Sequence, residues 1–151
     1  MAAKMAIKSE AKIDRFMPCP CCSQVIYHKC CKQYHDGALP PSALLLMRSR
    51  YCAYALGLAD YLMNTTHPDH PAYNADFVEW KADLLNFSRG TNFNGLKILE
   101  FVDGDLTASV SFSAYLRQGE HDSTFSEKSS FIKQEGRWLY CAGELADVSE
   151  S

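Results

Sequence analysis

The residues best suited to chemistry are cysteines, because five of the seven in this 151-residue chain fall within thirteen consecutive positions. Cys19, Cys21, Cys30 and Cys31 follow the spacing C-x-C-x8-C-C, and Cys22 is the fifth. So short a segment cannot bury enough apolar surface to fold by itself, whereas two close pairs of thiolates can surround one Zn²⁺ tetrahedrally. We therefore predict a zinc knuckle whose ligands are Cys19, Cys21, Cys30 and Cys31.

Other assignments of this cluster stay open from sequence. His28 or His35 could replace one sulfur, and Cys22 is either a spare thiol or an alternate ligand. Disulfides are the competing chemistry, but adjacent cysteines such as Cys30 and Cys31 pair only with strain. A zinc ion closed by four protein ligands has no open coordination position. We therefore expect a structural ion that does not activate water.

Charge and hydropathy limit the classes of partner. The formal net charge of −3 argues against a general nucleic-acid binder. Residues 1–35 are a local exception with a net charge of +4, and this segment could contact phosphates. The charge comes from two acidic residues and six basic ones: Lys4, Lys8, Lys12, Arg15, Lys29 and Lys32. No apolar run reaches the roughly 18 residues of a membrane span, and the first residues do not resemble a signal peptide. We expect a cytoplasmic protein, where thiols stay reduced.

Two helices are predicted between residues 42 and 90. The first begins at Ser42 as N-cap and ends near residues 64–67, before Pro68. Its apolar stripe is Leu44, Met47, Tyr51, Tyr54, Leu58 and Leu62. The second begins at Asp76, which has capping-box spacing with Glu79, and stops at Gly90. Its predicted buried stripe is Phe77, Trp80, Leu84 and Phe87.

The hydrophobic period then changes from 3.6 to 2, which is typical of strands. Asp103-Gly104 predicts a two-residue hairpin turn, and Glu135-Gly136 marks a second turn. The predicted strands are Leu96–Val102, Leu106–Arg117, Phe125–Lys133 and Arg137–Ala142. Short connections make them an antiparallel meander, and helices followed by such a sheet give an α+β fold with a curved four-stranded sheet. The acidic tail, residues 144–151, is expected to fray.

The cysteine segment resembles the SEC-C motif, the zinc knuckle at the end of the SecA translocation ATPase and in many small bacterial proteins. The residues that carry the resemblance are Cys19-Pro20-Cys21-Cys22-Ser23, Tyr27 and Cys30-Cys31. Cys22 departs from the pattern, because the motif has glycine there, where a permissive backbone would help.

A longer resemblance, to the YchJ family, covers residues 17–143. It is carried by the segments 46–54, 60–62, 66–68, 127–131 and 137–140, which read LMRSRYCAY, DYL, THP, EKSSF and RWLY. The resemblance implies a SEC-C knuckle joined to a nuclear-transport-factor-2-like domain, a cone of helices against a curved antiparallel sheet. Many members also carry a C-terminal knuckle, for which this sequence has no cysteines. Within the range it covers, the resemblance implies a knuckle (17–36) and a cone domain (37–143), but no established activity. Composition adds a polar extension before them (1–16) and the acidic tail after them (144–151).

Domains of the cone type often enclose a cavity. Our candidate lining residues are Arg48, Arg50, Tyr54, His67, Trp80, Glu127, Ser129, Trp138 and Tyr140. Each also has a simpler interpretation: the aromatics as core, His67 as a cap, and the arginines as ion-pair partners of Glu127. Glu127 shares strand parity with Phe125 and Phe131, so it should point inward and require a partner, which an arginine would supply.

Two functions of different class follow. The first is a binding or adaptor protein that docks a protein partner through the knuckle, with the cone domain as scaffold or ligand cup. A partner from protein export or translation rests on analogy with SecA alone. The second is a small-molecule-binding protein or enzyme that uses Arg48, His67 and Glu127. A homodimer through the open sheet face is a further expectation, although that face suits water equally: Thr107, Ser109, Ser111 and Ser113.

Overall fold

The computed structural model describes residues 13–146, where short helices precede an antiparallel sheet. A 3₁₀ turn at Tyr27–Lys29 is followed by helices α1 (Lys32–His35), α2 (Ala43–Leu56), α3 (Ala59–Asn64) and α4 (Phe77–Arg89). The strands are β1 (Asn92–Val102), β2 (Thr107–Gln118), β3 (His121–Asp122), β4 (Phe125–Gln134) and β5 (Arg137–Ala146). Their order is β1-β2-β4-β5, and the two-residue β3 pairs with the end of β2. The α+β class is confirmed, and β3 is an unpredicted addition.

The first predicted helix begins as expected but is two helices. The Ser42 hydroxyl accepts a hydrogen bond from the Leu45 amide at 3.2 Å, which confirms the N-cap. The prediction of a single helix ending near residues 64–67 was wrong, because Gly57 has φ of +75° and ends α2 in the left-handed region. The chain re-enters helix at Ala59, and Leu62 of α3 keeps its predicted place in the core.

Helix α4 has the predicted ends but not the whole predicted stripe. The Asp76 carboxylate accepts from the Glu79 amide at 3.1 Å, and Gly90 is the C-cap. Trp80 is buried, whereas Phe77 and Phe87 are 52% and 37% exposed. Phe77 lies in the first turn, where its ring contacts Trp80 rather than the sheet.

One of the two predicted hairpin turns is confirmed. Glu135 and Gly136 both have positive φ, 51° and 80°, as a primed two-residue turn requires. The other prediction was wrong: Val102 is the last residue of β1 and pairs with Ser109, so residues 103–106 form a four-residue connection. Strand β5 continues to Ala146, so residues 144–146 of the predicted tail are strand. Residues 1–12 and 147–151 lie outside the described residues.

The core lies between α2 and the alternating face of β2. That face is buried as predicted: Ala108, Val110, Phe112, Ala114 and Leu116. Register shifts in β1 and between Ser130 and Phe131 of β4 mark bulges, which bend a sheet. On the opposite face, which was predicted to suit either water or a partner, Ser113 is buried and its hydroxyl lies 2.6 Å from that of Ser126. Within residues 13–146, no helix has the length and hydropathy to cross a bilayer.

Candidate metal centre and cone cavity

Four cysteine sulfurs converge between the loop at residues 17–26 and the start of α1. The Sγ atoms of Cys19, Cys21, Cys30 and Cys31 all lie within 4.8 Å of one another. Sulfurs bound to one Zn²⁺ at about 2.3 Å in a tetrahedron would be roughly 3.8 Å apart. The observed separations of 3.6 Å between Cys21 and Cys30 and 4.0 Å between Cys30 and Cys31 fit that requirement. The predicted set of four therefore has the spacing and donor type for a metal ion.

Cys22 lies outside this set. Its φ of +66° is in the left-handed region, where the motif's glycine would be unstrained, and its side chain is exposed. The Cys22 amide donates to the Cys19 carbonyl at 3.1 Å, so the tight turn is kept without glycine. None of the seven cysteines, all within the described range, forms a disulfide.

His35 is also excluded as a ligand by its hydrogen bonds. Its Nε2 lies 2.9 Å from the Ser49 carbonyl, and its Nδ1 lies 2.7 Å from the Tyr27 hydroxyl. A carbonyl only accepts, so Nε2 carries the proton and Nδ1 accepts from Tyr27. Burial lowers the pKa of His35, which favours this neutral form. His28 is exposed and is not among the converging groups.

Cys52 is a contact that sequence reasoning missed. It was interpreted as a small core residue of the first helix, and it is fully buried there. Its Sγ, however, lies 3.8 Å from that of Cys19. Hydrogen bonds with Cys21, Cys31 and Cys52 hold the pKa of Cys19 below its ordinary value. Thirty-three residues separate Cys52 from Cys19, so no local spacing could have indicated the contact.

Arg48 contacts the cysteine cluster and does not line the cone cavity. Its guanidinium donates from Nη1 to the Cys21 carbonyl at 2.8 Å, which ties α2 to the knuckle. The predicted roles of Arg48 as a cavity residue and as a partner of Glu127 were therefore both wrong.

A cavity of about 170 Å³ lies between the helices and the sheet. Of the predicted lining residues, it contains Arg50, Tyr54, Glu127, Ser129 and Tyr140. Most of the wall is aromatic and was not predicted as lining: Tyr51, Phe87, Phe93, Phe112, Phe125 and Phe131. The parity of β2 and β4 could have indicated Phe112, Phe125 and Phe131, because these residues share the inward face with Glu127.

Three other predicted lining residues lie elsewhere. The His67 amide donates to the Tyr140 carbonyl at 2.8 Å and its Nδ1 accepts from the Asp69 amide, so His67 organises the loop before α4. The Trp80 ring packs 5.0 Å from that of Tyr73. Trp138 is buried outside the cavity. For these three the simpler interpretations, cap and core, fit the contacts.

Glu127 points inward as predicted, but its partners are hydroxyls. Its Oε2 accepts from the Ser129 hydroxyl at 2.5 Å and from the Tyr140 hydroxyl at 2.6 Å. Burial, and then the bond to Glu127, raises the pKa of Tyr140, so the phenol stays a donor at neutral pH. No described arginine forms a salt bridge with Glu127.

Arg50 donates through Nη1 to acceptors other than Glu127, and the expected ion pair is not among the described contacts. Its Nη1 donates to the Leu62 carbonyl at 3.0 Å and to the Thr65 and Thr66 hydroxyls at 2.7 and 3.1 Å. Its guanidinium carbon lies 4.8 Å from the centre of the Tyr140 ring, a cation–π contact. Arg50 and Glu127 thus contact the same tyrosine, one at its face and the other at its hydroxyl.

The family model for the YchJ middle domain, described as NTF2-like, matches residues 42–143. The chain belongs to the YchJ family. It is 39% identical over 135 residues to the UPF0225 protein SCO1677 of Streptomyces coelicolor, a match that covers 86% of this chain and 97% of that protein. The predicted family and the NTF2-like cone are thereby confirmed.

Two solved structures of SEC-C motif proteins are similar to most of this chain. RPA3114, a SEC-C motif protein of Rhodopseudomonas palustris, superposes with a TM-score of 0.75 at 31% identity, over 87% of this chain and 100% of that one. A SEC-C motif protein of Psychrobacter arcticus gives a TM-score of 0.69 at 24% identity, over 88% of this chain and 85% of that one. The likeness to the Psychrobacter protein, at 24% identity, shows the fold alone. The Rhodopseudomonas protein, at 31% identity, is in addition a SEC-C motif protein that is similar to this chain in sequence.

Proposed function

We propose that this YchJ-family chain is a cytoplasmic zinc-containing binding protein that docks a protein partner through its SEC-C knuckle, with the cone domain as scaffold and ligand cup. The observation that carries the proposal is an exposed aromatic side chain directly before the knuckle, in contact with a residue of the knuckle. Phe16 is 62% exposed, the Arg15 guanidinium lies 5.0 Å from its ring centre, and the His28 ring lies 6.3 Å away. Aromatic residues beside arginine are characteristic anchors of protein interfaces.

The zinc ion has a structural role in this proposal. Four thiolates would complete its coordination, so it would hold the knuckle folded and supply no reactive water. The knuckle's surface would then be rigid, because Cys19 and Cys21 fix the loop that follows Phe16. Reduced thiols are maintained in the cytoplasm, which is the reason for the proposed localisation.

The surface around Phe16 favours a partner with an acidic segment beside an apolar side chain. Arg15, beside Phe16, and Lys29 of the knuckle are both exposed, and Val25 of the knuckle is an apolar side chain that is 43% exposed. A partner from the export or translation machinery is proposed by analogy with SecA, because the SEC-C motif that residues 17–36 resemble also occurs at the end of SecA.

Capture by chemical crosslinking tests the docking role. Zinc-loaded chain would be crosslinked in a bacterial lysate, and captured proteins compared for wild type, Phe16→Ser and Leu99→Ser. Leu99 is a matched control, since it is 50% exposed but lies on β1. We expect Phe16→Ser to lose the captured partner and Leu99→Ser to keep it. Equal capture by both variants contradicts docking through the knuckle.

The alternative, an enzyme that uses Arg48, His67 and Glu127 together, is not supported by the geometry. Arg48 bonds to the knuckle and His67 to its own loop, whereas Glu127 lines the cavity. The part of that alternative with a specific observation in its favour is small-molecule binding, because the cone contains a cavity with polar groups at one end.

A further inference from the structure

The cone cavity has the size and wall of a site for a small, largely apolar molecule. Its volume is about 170 Å³ and eight aromatic residues contribute to its lining. An engineered apolar cavity of about 150 Å³ in another protein binds benzene, so this one can hold an aliphatic side chain together with a short polar head. Phe87 both lines the cavity and is 37% exposed, so the cavity reaches the surface beside it.

One polar corner of the cavity offers only hydrogen-bond acceptors. The Ser129 and Tyr140 hydroxyls both give their hydrogens to Glu127 Oε2. A carboxylate has about four acceptor positions, and Glu127 Oε1 accepts no hydrogen bond from the described residues. A ligand group that satisfies this corner must therefore donate, as an ammonium does.

The guanidinium of Arg50 offers the complementary chemistry. All its hydrogen bonds to described residues come from Nη1, so Nε and Nη2 make none within that range. A guanidinium cannot lose its proton in a protein and recognises carboxylates through paired donors. Arg50 contacts the face of the Tyr140 ring and Glu127 contacts the hydroxyl of the same side chain, so the two charges lie within reach of one small molecule.

We propose that the cone cavity binds a free α-amino acid with an aliphatic side chain. Its ammonium would donate to Glu127, its carboxylate would accept from Arg50, and its side chain would contact the aromatic wall. The charge balance favours a zwitterion: the lining contains one cation and one anion, so an ion of either sign alone would bring an unpaired charge into an apolar site. This inference rests on the ligand-cup role of the cone and is independent of docking through the knuckle.

Isothermal titration calorimetry of the zinc-loaded full chain tests the proposal by measuring the binding of three ligands that share one carbon skeleton. L-leucine has both charges, isopentylamine lacks the carboxylate, and 4-methylpentanoate lacks the ammonium. We expect L-leucine to bind at least about tenfold more tightly than either analogue, because each analogue leaves one charge of the site unpaired. Equal binding of leucine and either analogue, or no binding of leucine at millimolar concentration, overturns the proposal.

Variants assign the charges to their partners. Glu127→Gln should weaken binding of L-leucine at least about tenfold, since the ammonium loses its partner, whereas 4-methylpentanoate should bind at least as tightly as it does to wild type, because no carboxylate is left unpaired. Lys128→Gln is the matched control, because Lys128 is the next residue of β4 and is exposed. The assigned pose is contradicted if Glu127→Gln loses binding of both L-leucine and 4-methylpentanoate, or if Lys128→Gln loses binding of L-leucine.

A cavity-filling variant keeps the test informative if Glu127→Gln folds poorly. Ala114 lines the cavity, and Ala114→Leu adds apolar volume there without changing a charge. We expect this variant to lose L-leucine binding, and retained binding would place the site elsewhere. Phe16→Ser should bind L-leucine as wild type does, which separates failure of this site from failure of knuckle docking.

Discussion

The Cys52 sulfur of α2 lies 3.8 Å from the Cys19 sulfur of the knuckle, so the cluster of four cysteines that could hold a metal is packed directly against the cone domain. Two hydrogen bonds join the same helix to the knuckle region: Arg48 donates to the Cys21 carbonyl at 2.8 Å, and His35 Nε2 donates to the Ser49 carbonyl at 2.9 Å. These contacts make α2 the element through which the knuckle is oriented on the cone.

The two cysteines should respond differently to replacement. Cys52→Ala should retain one bound zinc and lower the free energy of unfolding by about 1 kcal/mol, since it removes one buried sulfur outside the ligand set. Cys19→Ser should lose stoichiometric zinc, because it removes a thiolate ligand. Elemental analysis and urea unfolding measure these effects. Loss of zinc from Cys52→Ala to the same extent as from Cys19→Ser would show that Cys52 is a ligand.

Removal of zinc should unfold the knuckle and leave the cone folded. The knuckle's buried core consists largely of its own cysteines with Tyr27, whereas the cone has a separate core between α2 and β2. Metal binding is folding free energy for so small a unit. Hydrogen exchange after chelation should therefore rise in residues 17–36 and stay slow in β2 and β4. Fast exchange throughout the sheet would instead show that the two units unfold together.

Local signals in the sequence determined the ends of the elements well. Ser42, Asp76 and Gly90 cap helices as predicted, and Glu135-Gly136 forms the predicted turn, because capping and primed turns depend on side chains a few residues apart. The break at Gly57 was missed, since an isolated glycine within a helical pattern is often tolerated.

The site was predicted only where its residues are close in sequence. The four converging cysteines span thirteen positions, and their spacing identified them. The contact of Cys52 with Cys19 and the stacking of Arg50 on Tyr140 join distant segments, so they depend on how α2 lies on the knuckle and sheet. For the same reason the partner of Glu127 was wrongly predicted: parity gave its direction, but not the hydroxyl that reaches it from β5.

Acid should destabilise the protein partly through His35. Burial lowers its folded-state pKa from the ordinary value of 6.5, so the unfolded chain binds more protons at this residue. Its stabilising contribution is therefore complete well above pH 6.5 and is lost as the pH falls through 6.5 toward the lower folded value. Urea unfolding at several pH values should show His35→Gln less stable than wild type at pH 8.

The difference between His35→Gln and wild type should shrink as the pH falls to 5. Protonation of the cysteine ligands also weakens the protein in acid, but both chains share that effect, so the difference isolates His35. The exposed His28 is the control, and His28→Gln should follow the wild-type dependence. A constant difference across the range would mean that His35 acts through packing alone.

Gly143 of β5 should be required for the hydrogen-bonded corner of the cavity. A Cβ at this position would clash with the Glu127 carboxylate and the Tyr140 hydroxyl, so Gly143→Ala must displace at least one of them. We expect a loss of about 1–3 kcal/mol in the free energy of unfolding, the usual range for overpacking. The neighbouring Ala142→Ser, at an exposed position, should change stability by less than about 0.5 kcal/mol.

A double-mutant cycle identifies the clash as the cause. Glu127→Ala removes the carboxylate that the new Cβ would meet, so Gly143→Ala should cost less in that background than in wild type. Urea unfolding of the two single variants and the double variant gives the coupling free energy. Additive losses would mean that the clash with the Glu127 carboxylate is not the cause of the cost of Gly143→Ala.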